Sequence, residues 1–354
     1  MAREESRVSE LDIKRRATVH DVARAAGVSL ATVDRVLNGR PGVRPATAEK
    51  VAAAVAELGF ERDLSASLLA RARDLNLVFL IPDGANEFME SLAAAASQRA
   101  IAARAERMQI EIRRLPALDP RALADALDAL EPRRCDCAVI VASEDEPVFA
   151  AVERAHRRSI AVMTLVSDLP GSARSVFVGI NNVAAGRTAA SLLGRFCGGR
   201  GTVGVIAGSM HLRDHRERLD GFRAVMAENF PDIRVLDPVE GHDSHEQTRA
   251  RATTLLAGNA DLAGLYNLGA GNGGLVTALE NSGRGGAVHV VAHELSGPTR
   301  EGLMSGTIDV VLDQNPDGEI RAALEAARTL AIGGHMARRV EPIEIDIFLR
   351  DNLG

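Results

Sequence analysis

The sequence predicts an α/β protein: a three-helix helix-turn-helix head and a hinge helix at the N-terminus, then two doubly wound lobes built on parallel sheets. Three observations carry this expectation. Residues 17–56 hold two short amphipathic helical patterns around a glycine turn, with a third behind them. From Leu75 onward, short apolar strands alternate with helical patterns, the signature of parallel α/β sheets. Those strands fall into two series of about five, which implies two lobes whose cleft faces the carboxyl ends of the strands.

In the head, Thr18 is a candidate N-cap with Asp21 three residues on, a capping box with Asp in place of Glu. Val19, Val22, Ala23 and Ala26 recur at helical spacing, and Gly27 supplies the positive φ of a tight turn. Ser29 caps a second helix, in which Val33, Val36 and Leu37 share one face. The opposite face presents Ala31, Arg35 and Asn38, flanked by Leu30, Thr32 and Asp34. A third helix places Ala48, Val51, Ala52, Val55 and Leu58 on one stripe, with Gly59 past its end. Two short helices around a glycine turn, braced by a third, can seat the second helix in a DNA major groove.

Strands are expected near 75–81, 109–115, 137–142, 160–166 and 176–180, then near 202–207, 233–239, 263–267 and 288–292. Helices are expected at Glu90–Met108, Pro120–Leu130, Asn182–Phe196, Asp214–Asn229 and Ser244–Gly258. Residues 1–17, mostly charged and polar, read as a disordered lead-in.

Of the 354 residues, 46% are hydrophobic and 25% charged, ample for two or three ordinary globular domains. The net charge of −6 is unevenly divided. Residues 1–73 carry 13 Lys and Arg against 10 Asp and Glu, and the remainder 29 against 38. A basic head on an acidic body suits a protein that meets phosphates at one end only. Three cysteines, Cys135, Cys137 and Cys197, make no disulfide framework, fit a reducing cytoplasm and read as buried small hydrophobes. No signal peptide and no bilayer-length apolar run is present, so no membrane partner is expected. The histidine pairs His211/His215 and His242/His245 lack a third ligand, and no catalytic triad or carboxylate pair is legible, so neither metal, cofactor nor catalytic residue is expected.

One motif argues for an enzyme. Gly269-Ala270-Gly271-Asn272-Gly273-Gly274 fits G-x-G-x-x-G after a strand and before a helix, and Glu294 sits at the end of the next strand, where a dinucleotide fold keeps its ribose-binding acid. The alternative function is therefore a nicotinamide-dinucleotide-dependent enzyme or sensor. Against it, the same glycines can serve close packing at a ligand cleft.

The run ATVHDVARAAGVSLATVDRVLNG resembles the head of the lactose-repressor (LacI) family of transcription factors, patterned T-V-x-D-V-A-x-x-A-G-V-S-x-x-T-V-S-R-V-L-N. Asp34 stands where that pattern has Ser. The resemblance implies a sequence-specific DNA-binding regulator, expected to repress, with DNA-contacting residues among Thr18, Ser29, Leu30, Ala31, Thr32, Asp34, Arg35 and Asn38. It further implies a hinge over residues 61–73, whose Leu69 wedges into the minor groove; here Arg62 and Asp63 replace the family's Pro and Asn. The expected domains are 18–60 for the head, 61–73 for the hinge and 74–354 for effector binding. Within the last, lobe one comprises 74–180 and 315–333, and lobe two 181–314 and 334–354, with crossings near Asn181, Gln314 and Gly334.

The body resembles the sugar-binding lobes of periplasmic-binding-protein type I. That likeness implies a cleft lined by Asn86 and Phe88 from PDGANEFMESL, Arg216 from the R-x-R-x-x-G-F run, Glu294 from VVAHELSG and Gln314 from VVLDQNPD, together with Ser143, Ser167 and Asn267. The fourth strand ends in Val166-Ser167 where the ribose-type pattern has Asp-Arg, so the implied effector is a sugar, polyol or sugar acid, not ribose in particular. Arg213, Arg216 and Arg218 near one cleft edge would suit an anion. No heptad tail follows FLRDNLG, and a homodimer on a near-palindrome is the expected assembly.

Overall fold

Helix α1 (Val19–Ala26) starts where Thr18 and Asp21 cap one another. The Asp21 amide donates to Thr18 Oγ1 (3.3 Å), and the Thr18 amide donates to Asp21 Oδ2 (2.9 Å). In this computed structural model residues 17–37, 42–58, 60, 74–331 and 340–353 are described. Gly27, at φ 64°, turns the chain so that the Val28 amide donates back to the Ala23 carbonyl (3.1 Å). Ser29 Oγ accepts from the Thr32 amide (3.2 Å) and opens α2 (Leu30–Leu37). Pro45 starts α3 (Pro45–Glu57), where its missing N–H costs nothing.

The three helices close over Val22, Ala23, Val33, Val51 and Ala54, with Val36, Leu37, Val55 and Phe60 packed around them. One expectation is corrected. On α3 the buried stripe runs through Val51, Ala54 and Val55, whereas Ala52 and Leu58 are exposed, because the face toward α1 is set by Val51 and its neighbour one turn on. Asn38, Gly59, the 61–73 hinge with Leu69, and Gly334 lie outside the described residues.

A second unit begins at Asp74. Its first sheet has the order β2-β1-β3-β4-β5. The strands are β1 (Leu75–Asp83), β2 (Met108–Pro116), β3 (Cys137–Ile140), β4 (Ala161–Leu165) and β5 (Val176–Val178), all parallel. The central strands are buried on both faces, as a sheet covered by helices on each side requires. The crossover helices are α4 (Glu87–Ala105), α5 (Pro120–Asp128) and α6 (Glu146–Arg157). Asn86 and Asp119 cap α4 and α5 by accepting from their first-turn amides. The first helix therefore starts three residues before the expected Glu90.

The chain then enters α7 (Asn182–Phe196) and a second sheet ordered β12-β11-β10-β9-β6-β7, with β8 beside β6. Its strands are β6 (Gly201–Ala207), β7 (Ile233–Val235), β8 (Val239–Glu240), β9 (Leu262–Asn267), β10 (His289–His293), β11 (Val310–Asp313) and β12 (Asp346–Phe348), the last antiparallel to β11. Helices α8 (Arg213–Asn229), α9 (His245–Gly258), α10 (Asn272–Asn281) and α11 (Gly297–Ser305) connect them. Helix α12 (Pro316–Ala331) returns to the first sheet and packs on α4, β1, β4 and β5. Ile343 pairs with Ile180, and β12 then joins the second sheet. The second series thus has seven strands, not about five, because the expected 233–239 strand splits at Leu236–Pro238 and the short β11 and β12 add to it.

Cys135 and Cys137 are buried, Cys197 is half-buried, and all three are free thiols. Burial pushes the Cys135 and Cys197 thiols up to about 11, so neither is a thiolate at neutral pH. No helix among the described residues is long and apolar enough to cross a membrane.

Candidate functional site

The cleft between the two sheets is organised by one helix crossing. A Cβ on Gly186 of α7 would lie 1.9 Å from the Arg218 carbonyl oxygen, and one on Gly221 of α8 would lie 2.1 Å from the Val183 carbonyl oxygen. Only two glycines let these helices touch backbone to backbone. The crossing buries the stripe Asp214, Arg218, Leu219, Phe222 and Val225, and carries Arg218 into the interior. Its Nε donates to Asn182 Oδ1 (2.9 Å) and its Nη1 to the Leu268 carbonyl (2.8 Å). Nη1 also lies 3.9 Å from Glu294 Oε1, while Nη2 has no partner.

Glu294, at the end of β10, and Gln314, just past β11, meet over this guanidinium. Gln314 Nε2 donates to Glu294 Oε1 (2.6 Å), leaving Glu294 Oε2 and Gln314 Oε1 without partners. Burial pushes the Glu294 carboxyl up to about 8; Arg218 pulls it down and Asp313 pushes it further up. Glu319, in the first turns of α12, is fully buried with neither oxygen bonded. Its carboxyl is pushed well up by burial and then by Glu294. Asp313 is also raised by burial, although it accepts from the Leu295 and Asn315 amides. His293 Nε2 and the Tyr266 hydroxyl share a hydrogen bond (2.8 Å), and burial drives the His293 pKa down.

Asn86, Phe88, Ser167, Asp214, His215, Arg218, Asp243, Glu294 and Gln314 line one cavity of about 30 Å³. Val166 and Glu294 hold φ of 66° and 70° at the ends of β4 and β10. Such conformations cost about 1–3 kcal/mol each in a non-glycine residue and gather at functional sites. Ser167 is buried with its hydroxyl unpaired.

Of the residues expected from sequence, Asn86, Phe88, Ser167, Glu294 and Gln314 come together here. Three fall elsewhere. Arg216 points along the rim: Nη1 donates to the Met210 carbonyl (2.8 Å) and Nη2 pairs with Glu144 of the first lobe, because position 216 is off the buried stripe of α8. Asn267 is buried but spent internally, its Nδ2 donating to Asn272 Oδ1 (2.7 Å) and the Ala270 carbonyl (3.2 Å). Ser143 lines a neighbouring, mainly apolar cavity with Leu80, Met89, Leu115, Leu123 and Leu212. Asp214 also lines the cavity and Glu319 is buried close to Glu294, neither named as a site residue from sequence, while Arg218, expected at the cleft edge, points into the interior. The signal was available: each is a charged residue on an otherwise apolar helical stripe.

Other links join the two lobes. Asn86 Nδ2 donates to Asp243 Oδ2 (3.1 Å), His245 Nε2 stands 3.4 Å from Glu87 Oε1, and Arg213 Nη1 donates to Glu144 Oε1 (2.9 Å). Arg213 also reaches Glu217 (2.7 Å). The two rim arginines are therefore paired with carboxylates.

The Gly269–Gly274 loop is explained by packing. A Cβ on Gly269 would meet the Gly208 amide at 2.5 Å, one on Gly271 (φ 81°) Thr248 Oγ1 at 2.3 Å, and one on Gly274 the His245 carbonyl oxygen at 1.8 Å. Glycine is needed there for α10 to lie on α9. The Glu294 carboxylate faces Arg218 and Gln314. No group of three His, Cys, Asp or Glu suited to a metal ion occurs among the described residues.

In the head, Leu30, Ala31 and Arg35 are exposed along the outer side of α2. Thr18 is spent on its capping box, Ser29 and Thr32 join hydroxyls (2.9 Å), and Asp34 is half-buried.

A family model described as bacterial regulatory proteins, lacI family, matches residues 18–63, and one described as a periplasmic binding protein domain matches residues 77–335. The chain belongs to the lacI family, with a periplasmic-binding-protein body. This is a family of regulators, not enzymes, and the dinucleotide-enzyme alternative falls with that finding and with the packing of its glycines. The HTH-type transcriptional regulator DegA of Bacillus subtilis (strain 168) is 26% identical over 248 residues, 70% of this chain and 71% of that protein. Catabolite control protein A of Priestia megaterium is 43% identical over 76 residues, 22% of this chain, so the chain matches only 23% of that relative's length. Among solved structures, a solute-binding protein of Burkholderia graminis in complex with D-arabinose is 24% identical with a TM-score of 0.74, covering 79% of this chain and 97% of that one. GanP, a glucose-galactose binding protein of Geobacillus stearothermophilus, is 20% identical with a TM-score of 0.72, covering 79% and 99%. These likenesses establish the two-lobed fold.

Proposed function

We propose that this chain is a DNA-binding transcription regulator, acting as a repressor and working as a cytoplasmic homodimer, whose grip on its operator is set by a small polyhydroxylated effector in the cleft. One observation carries the reading. The same chain holds an exposed recognition-helix face and a buried cavity in which Arg218, Ser167, Glu294 and Gln314 each keep an unfilled hydrogen bond. Buried polar groups are nearly always paired, so a cavity of orphaned donors and acceptors is built for a polar ligand. The resemblance to proteins that bind D-arabinose or glucose and galactose supports a sugar or polyol. A sugar acid fits less well, because Arg213 and Arg216 are already paired.

The cross-lobe links at Asn86, Glu87 and Glu144 give the effector something to bias. A ligand that binds the closed lobes better than the parted ones shifts that balance, typically by about 1–3 kcal/mol. A thermal-shift screen with pentoses, hexoses, inositols and sugar acids, with NAD(H) and NADP(H) in parallel, tests this. Stabilisation by a neutral polyol and none by dinucleotides is expected. Stabilisation by dinucleotides alone would overturn the reading.

A further inference from the structure

We propose that the effector is a polyhydroxylated compound carrying a protonated amine, of the amino-sugar or amino-cyclitol class; this rests on the sugar-cleft reading above. The cavity holds unused acceptors beside the unused donors of Arg218 and Ser167. Asp214 Oδ1, Glu294 Oε2 and Gln314 Oε1 are buried without partners and line the cavity; both oxygens of Glu319 are equally unpaired. The carboxyls of Asp214, Glu294 and Asp313 and the Arg218 guanidinium all lie close enough to Glu319 to act on its charge. That guanidinium gives two of its bonds to the neutral oxygens of Asn182 and Leu268.

The other charged groups facing the site do not restore the balance. Arg213 and Arg216 are held by Glu144 at the rim. His215 is held by the Ser209 backbone and stands 3.7 Å from Asp214, His293 is bonded to Tyr266, and Asp243 already accepts from Asn86 and Ala270. An ammonium has three donors and no acceptor, the complement of Asp214, Glu294 and Gln314. An ammonium can take the place of the proton that Glu294 holds, whereas a neutral sugar leaves that proton where it is. A sugar acid would set a further acidic group among these carboxyls.

The Glu294 proton, held up to a pKa of about 8, supplies a second signature. A cation bound beside that carboxyl favours its ionised form, so binding near pH 7 releases a proton.

Titration calorimetry on the full chain decides the matter with matched series on one skeleton: glucosamine, glucose and glucuronate; galactosamine, galactose and galacturonate; an inosamine and its inositol. The expected result is an amine at least tenfold tighter than its neutral counterpart, and a uronate weaker than both. Heats in two buffers of different ionisation enthalpy should show proton release with the amine, reduced in Glu294→Gln. Should that variant fold poorly, the buffer comparison on the parent chain stands alone. A neutral sugar binding as tightly as its amine, or a uronate binding best, overturns the amine inference and leaves the sugar cleft intact. If no compound of any charge binds, the sugar-cleft reading falls and this inference with it.

Discussion

Replacing Arg218 by lysine separates the buried arginine from the rim arginine more sharply than any ligand assay. The guanidinium forks between Asn182 Oδ1 and the Leu268 carbonyl, at 2.9 and 2.8 Å. A lysine keeps the charge but has a single nitrogen at the end of a flexible stem, so it cannot reproduce the fork. At least one buried acceptor is then unpaired, at about 1–3 kcal/mol. Arg216 is a third exposed and its partner Glu144 a quarter exposed, so Arg216→Ala should cost no more than about 1 kcal/mol. Urea unfolding followed by circular dichroism reads both. Arg218→Lys should lower the midpoint clearly, and Arg216→Ala should leave it nearly in place. Equal effects, or a larger one at Arg216, would refute the assignment of Arg218 as the residue around which the cleft is built.

Other outcomes follow from the same geometry. Glu294 binds its proton more tightly when folded, near 8, than an ordinary glutamate near 4.5, and Glu319 is shifted the same way. Stability from Glu294 is complete below about pH 4.5 and lost as pH rises toward 8, at up to about 1.4 kcal/mol per unit, and Glu319 adds a loss of the same sign. Unfolding midpoints should therefore fall between pH 5.5 and 8.5, less steeply in Glu294→Gln; a flat or rising profile would sink this. Glu144→Ala removes the acceptor for both rim arginines and should shift small-angle scattering of the unliganded chain toward parted lobes, whereas an unchanged profile would show that other contacts hold them. Arg35→Ala should weaken binding to a selected operator by about 1–3 kcal/mol and relax one base position, as loss of a guanine fork would. Equal weakening on random DNA would make Arg35 a phosphate contact instead.

The head was the most legible part, because each of its devices is local: a cap at Thr18, a turn at Gly27, a cap at Ser29 and apolar spacing between them. The long strands β1 and β2 and the Asn182–Phe196 helix were equally plain, from the apolar run of β1, the alternation of Met108, Ile110 and Ile112 in β2, and the Asn181 cap of the helix. Strands β11 and β12 were missed as strands, since four and three residues carry too little periodicity and their pairing is decided by the sheet they join. The cleft was half legible. Glu294 and Gln314 follow strands, where any side chain projects toward the crevice. The choice between Arg216 and Arg218 depends on helix phase, which Leu219, Phe222 and Val225 define and which a motif match ignores. Asn267 and Ser143 lie at the right strand ends. Their orientations depend on Asn272 and on the apolar cavity beside the cleft, neither of which spacing reveals.

The measurement that bears most directly on a regulator with a ligand-set grip is fluorescence anisotropy on DNA selected from a random library by the full chain, titrated at about 150 mM salt with and without the tightest sugar or amino sugar from the calorimetric series. A regulator of this kind should select a near-palindrome, bind it at least a thousandfold more tightly than random DNA, and change that affinity about tenfold or more when ligand is added. An affinity for the selected DNA that ligand leaves unchanged, although the ligand binds the chain, would contradict the account.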